Sequence, residues 1–200
     1  KGDVDQTNIA YGKRLSVSSG VSGLSNNYDK LLVGQFLGFA ELATYNIAFL
    51  IPEQIKVVVT SFMIPYLPQF SKTDYRAKLI GLFGKFLVVS CIFAGCYIFI
   101  SPYFFEFFFP KYTEAVFLTQ VVAAGLLLAV PFIIIETYFK AQEGDQVILI
   151  STLVGLIVSI LGIFALAPIY GIMGIVVSKI VSYYCQGFFL LFKLLNKVKD

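Results

Sequence analysis

The chain has 200 residues, 58% of them hydrophobic and only 14% charged, with a formal net charge of +3 and a mean hydropathy of +0.83. No ordinary soluble domain has that balance, so the chain reads as an integral membrane protein. Histidine and tryptophan are both absent, which excludes histidine-based metal sites, Ser-His-Asp triads and histidine proton relays.

A polar segment, residues 1–14, opens the chain with Lys1 and no Met, and is expected to be a cytoplasmic linker from a preceding lobe of a longer protein. Six stretches of about 20 mostly apolar residues follow, each long enough to cross the hydrocarbon of a bilayer: 15–39, 43–67, 79–100, 116–138, 147–166 and 169–191. The expected fold is therefore an all-α membrane protein, with a six-helix lobe over 15–192 and a basic tail at 193–200. Short connections make successive spans antiparallel neighbours.

In the first span, a pitch of ~100° per residue puts Ser18, Ser22, Ser25, Asn26 and Asp29 on one face, and Val17, Leu24 and Leu31 on the other. One side suits lipid; the other suits water or polar partners. The second span repeats the device with Asn46, Glu53, Lys56 and Thr60, and it contains Pro52. Pro131 interrupts the fourth. Both prolines are expected to kink their helices and free backbone carbonyls.

The outer loop between the third and fourth spans, SPYFFEFFFPK at 101–111, is packed with aromatics between two prolines and reads as an interfacial belt. The fifth span carries Ser151, Gly155, Ser159 and Gly162, and the sixth carries Gly174, Ser178 and Ser182. Such ridges of small residues predict close helix packing. Cys91, Cys96 and Cys185 lie in apolar runs and are expected to be small buried hydrophobes, with no metal, cofactor or disulfide implied.

Charge orients the lobe. If the start is cytoplasmic, that side receives Lys1, Lys13, Arg14, Lys72, Arg76, Lys78, Lys140, Lys193, Lys197 and Lys199, and the far side receives Lys111 alone. Both termini are then cytoplasmic by the positive-inside rule.

Charges remain inside the spans. Lys85 and Glu136 lie close enough to the cytoplasmic end to snorkel. Asp29, Lys30, Glu53, Lys56 and Lys179 lie deeper, where an ionised side chain costs roughly 3 kcal/mol or more in hydrocarbon, and Glu41 lies near the outer boundary. Three lysines against two acids predict a hydrated, slightly positive pocket suited to a phosphate or pyrophosphate. Its candidate lining residues are Lys179, Lys56, Lys30, Asn26 and Gln186, with Asp29 and Glu53 as ion-pair or coupling candidates. The alternative is internal pairing, Glu53 with Lys56 and Asp29 with a neighbouring lysine. Lys179 has no acid on its own helix, and on the pocket reading Lys179→Ala abolishes transport while leaving membrane abundance unchanged.

YDKLLVGQFLGFAELATYNIAFLIPEQI at 28–55 resembles the opening of the second half of bacterial polysaccharide-unit flippases. These belong to the multidrug/oligosaccharidyl-lipid/polysaccharide exporter superfamily, and the matching positions are Asp29, Lys30, Gly34, Gly38, Tyr45 and Ala48. FFPKYTEA at 108–115 is similar to the family's aromatic loop, with Pro where Gly is more usual. YFKAQEGD at 138–145 is similar to its A-Q-G turn with one residue inserted, and PIYGIMGIVVSKIVSY at 168–183 to the start of a late helix.

The resemblance implies transport of undecaprenyl-pyrophosphate-linked oligosaccharide across the bacterial inner membrane for O-antigen, capsule or exopolysaccharide. It implies two six-helix lobes rocking about a central site, of which this chain resembles the later. The implied partners are the bilayer, the other lobe, a polysaccharide polymerase and a chain-length regulator, with no nucleic acid. A multidrug or cation exporter, a peptidoglycan-precursor flippase, a membrane-embedded transferase and a structural subunit stand as rivals. Absent histidine and short loops weigh against the transferase, and excess lysine weighs against the cation exporter.

Overall fold

The computed structural model describes Gly20, Gly23 and residues 27–63, 76–142 and 144–196. These are helical, with no strand among them. Helix α1 covers 27–36, α2 Phe39–Met63, α3 Arg76–Phe108, α4 Ala115–Leu128, α5 Val130–Ala141 and α6 Asp145–Asn196, and a 3-10 turn at Pro110–Tyr112 joins α3 to α4. Two helices are long and apolar enough to cross a membrane, or three if the bent pair α4–α5 is one span. The linker, the basic residues of the tail from 197, and the side chains of Ser18, Ser22, Ser25, Asn26 and Thr60 lie outside what is described.

Two glycines reverse the chain. Gly38, at φ 97°, separates α1 from α2, and Gly171, at φ 56° and ψ −134°, interrupts α6; an L side chain is strained at either φ, and glycine is not. The contacts of α6 show that it is a hairpin. Ser182 donates to the Gly155 carbonyl at 2.7 Å, a Cβ at Gly162 would lie 2.8 Å from Ser178 Oγ, and one at Gly174 would collide with the backbone of Leu166. Partners converge steadily on Gly171, as antiparallel arms require. The small-residue ridges are thus packing surfaces, and Ser151, Gly155, Ser159, Gly174, Ser178 and Ser182 are buried.

Helix α4 is the hub, packed against α2, α3 and the second arm of α6. One apolar cluster joins Val33, Tyr45, Phe49, Leu118, Val122, Ile163 and Ile175. A second joins Leu79, Ile134, Tyr138, Ile148 and Leu190. On the outside, Leu31, Ile92, Phe93, Phe99, Leu161 and Phe164 are exposed, an apolar surface that suits lipid tails.

The prolines free carbonyls, and α4 supplies the donors. Pro52 has no N–H for the Ala48 carbonyl one turn earlier; Thr119 donates to that oxygen at 2.8 Å and meets the Tyr97 hydroxyl at 2.9 Å. Pro102 deprives Ile98 in the same way, and the Ile98 carbonyl accepts from Gln120 Nε2 at 3.1 Å and from Ser101 Oγ at 3.1 Å. Pro131 marks the 40° bend between α4 and α5. Thr119→Val keeps the shape but leaves a buried carbonyl without its donor, so it is expected to lower stability by about 1–3 kcal/mol, read as an earlier thermal unfolding midpoint in detergent or nanodiscs.

Two expectations need correction. The aromatic segment 101–111 is helical as far as Phe108, because the donors at Ser101 and Gln120 let the helix run through Pro102. Cys91 and Cys96 are exposed and Cys185 half-buried: an apolar run facing outward places its cysteines on the apolar surface, not in the core.

Candidate functional site

Both hairpins carry a polar group about 12 to 14 Å below the turn, at 1.5 Å rise per residue: Asp29 before Gly38 and Lys179 after Gly171. Antiparallel packing brings the two together. Lys179 Nζ pairs with Asp29 Oδ2, and the Tyr45 hydroxyl donates to the same oxygen. Asp29 and Tyr45 are wholly buried and Lys179 is 3% exposed. The ammonium also lies 3.8 Å from Glu53 Oε1, 4.6 Å from the centroid of the Phe49 ring and 5.8 Å from that of Tyr45. A charge at this depth persists only with such compensation.

Lys179 closes the inner end of a cleft of about 230 Å³. Its polar lining includes Lys56, Thr137, Ser151, Ser182, Tyr183 and Gln186, with Glu136 and Lys140 at the open end. Leu126, Val130, Ile133, Ile148 and Leu190 are among its apolar residues. From Lys179 to Leu190 it follows the second arm of α6 for about 16 Å. Exposure rises along that path: Lys140 and Glu136, paired at 2.7 Å, have side chains 54% and 39% exposed, against 4% for Lys179. Lys56 Nζ sits 4.3 Å over the Tyr183 ring, and Gln186 Nε2 donates to Ser182 Oγ at 3.2 Å.

Of the residues expected to line a basic pocket, Lys179, Lys56 and Gln186 share this cleft. Lys30 is half-buried on α1 and is not among the lining residues; Asn26 lies outside the described residues. The expectation of Lys179 as an unpaired cation offered to a ligand is corrected: its partner is on another helix, a contact that inspection of its own helix misses. Glu53, expected to pair with Lys56, has Lys179 within ion-pair distance.

Several functional groups were missed by the sequence reading. Phe49, which walls the ammonium, looks like any apolar residue of its helix. Thr119 and Gln120 carried a signal, since a carbonyl one turn before a helical proline must find a donor.

The positions carrying the flippase resemblance have local roles. Gly38 makes the turn, Gly34 faces Leu42 across the hairpin, Ala48 offers the carbonyl to Thr119, and Asp29 and Tyr45 bond to each other. Fold and site together define an all-α protein with membrane-length helices, a polar cleft and a buried ion pair at its inner end. No family model, curated protein or solved structure matches the chain.

Proposed function

We propose that this chain is a six-span lobe of a flippase that carries sugar units linked to a polyprenyl pyrophosphate across a bacterial inner membrane. The observation that carries this reading is the cleft, lined by polar and apolar side chains together, set in a bundle with an apolar exterior. Such a shape gives hydroxyl-rich and phosphate groups a wet path while a hydrocarbon tail stays in lipid. Three lysines and one glutamate line it, with Asp29 and Glu53 against Lys179, so the preference for lipid-linked sugar over the organic cations of a drug exporter rests on the resemblance.

At about 230 Å³ the cleft is smaller than the ~300–1,000 Å³ of common ligand pockets. It suits part of a cargo, with a second lobe completing the enclosure. Lys56, in the cleft lining with its ammonium 4.3 Å from the centroid of the Tyr183 ring, is the lysine assigned to the phosphate oxygens. The resemblance at 28–55, 108–115, 138–145 and 168–183 supports the same reading, in which each arm of α6 is one span and both termini are cytoplasmic.

The test is the sidedness of lipid-linked sugar in membranes of the producing cell, measured by protection from an impermeant glycosidase. Lys56→Gln is expected to slow appearance on the outer leaflet roughly tenfold or more, since a hydrogen bond to a charged group contributes about 1.5–3 kcal/mol, with protein abundance unchanged. Unaltered sidedness in Lys56→Gln and Lys56→Leu would favour a structural subunit instead.

A further inference from the structure

Lys179 stands between two carboxylates of unequal burial. Asp29 on α1 is wholly buried; its Oδ2 takes both the Tyr45 hydroxyl and the Lys179 ammonium. Its Oδ1 has no hydrogen-bond partner among the described residues. Glu53 on α2 has a side chain 35% exposed and lies 3.8 Å from the same ammonium. An ammonium carries three donors on a flexible stem, so a shift of about 1 Å brings Nζ within the ~2.7–2.9 Å typical of a charged hydrogen bond to Glu53.

From this juxtaposition we infer that Asp29 is a proton-binding site, and that its protonation at Oδ1 hands Lys179 to Glu53. One proton forms an O–H bond on Asp29 as a hydronium O–H bond breaks and leaves water; the ion pair to Asp29 is lost and the pair to Glu53 forms. The neutral carboxyl still accepts from Tyr45 through Oδ2. Asp29, Glu53 and Lys179 together pass from one net negative charge to none, which lowers the cost of keeping them at membrane depth.

The other titratable or charged groups facing the cluster are Tyr28 on α1, Tyr45 and Lys56 on α2, and Tyr183 on α6. Lys56 lies in the cleft lining, its ammonium over the Tyr183 ring. The hand-over turns Lys179 from the wholly buried carboxylate toward the more exposed one, coupling proton uptake to the position of an ammonium that lines the cleft.

The test uses the full chain in bilayers with isotopically labelled aspartate carboxyls, followed by infrared difference spectroscopy on acidification. The expected result is a protonated-carboxyl band from aspartate that exchanges slowly in heavy water and is lost in Asp29→Asn. Absence of any slowly exchanging aspartate band in the unmutated protein overturns the inference, whether or not Asp29→Asn folds. A second readout is acylation of Lys179 by a water-soluble amine reagent at fixed pH, quantified by mass spectrometry. Asp29→Asn, which mimics the protonated state, is expected to raise it about tenfold, equivalent to 1.4 kcal/mol, while Glu53→Gln leaves it low. Equal reactivity in folded Asp29→Asn and unmutated protein contradicts the hand-over. Neither readout involves cargo, so failure here is separable from failure of the flippase reading.

Discussion

Lys179→Ala is expected to lower the yield of folded protein and to destabilise what remains by roughly 3–5 kcal/mol, the cost of leaving a buried charge without its partner. Asp29 is wholly buried, and once the ammonium is gone its remaining donor among the described residues is the Tyr45 hydroxyl. The structure thereby reverses the expectation drawn from sequence, that this variant stays abundant and fails only in transport. The measurement is thermal unfolding of the purified chain together with its abundance in membranes. Adding Asp29→Asn to Lys179→Ala removes the stranded charge and is expected to recover more than half of the loss. A Lys179→Ala protein as stable and abundant as the parent would contradict the pairing.

Gly174→Leu is expected to prevent the two arms of α6 from closing. A Cβ at Gly174 would lie 2.6 Å from the Leu166 carbonyl carbon and 2.9 Å from the Ala167 nitrogen. These are backbone atoms in a helix and cannot rotate away, so the arms must separate; overpacking of this kind costs about 1–3 kcal/mol or more. Lost close packing between the arms adds to that, because helix association in lipid depends on such contact. Gly155 offers a graded comparison: an added Cβ there meets the flexible side chain of Gln186, which can move, so Gly155→Ala is expected to be milder. Gly81 has nothing within 4 Å of such a Cβ, and Gly81→Ala is expected to be neutral or stabilising through better helix propensity, by up to about 1 kcal/mol. Unfolding midpoints ordered Gly81→Ala, Gly155→Ala, Gly174→Leu from highest to lowest test the hairpin directly.

Residues whose partners are dictated by local geometry were legible in the sequence. Small residues every third or fourth position announced close packing of the arms of α6, because only they let two helix backbones approach. Pro131 announced the bend between α4 and α5, and Pro52 the freed Ala48 carbonyl that Thr119 meets. The polar face of α6 was also legible, since helical spacing alone places Lys179, Ser182, Tyr183 and Gln186 on one side, and all four line the cleft.

What needed the third dimension was pairing between distant elements. Asp29 and Lys179 lie far apart in sequence, and only the two turns at Gly38 and Gly171 bring them to one depth. Pro102 misled for a related reason. A proline among aromatics reads as a helix end unless Gln120, from another helix, is known to supply the missing donor.

One ion pair, Lys179 with Asp29, closes the inner end of the polar cleft. The direct test is a double-mutant cycle of Asp29→Asn and Lys179→Met, scored by unfolding free energy in lipid nanodiscs. The pair predicts a coupling energy of about 2–3 kcal/mol, with the double variant more stable than Lys179→Met alone. Effects that add to within about 0.5 kcal/mol would mean that the two side chains do not hold each other.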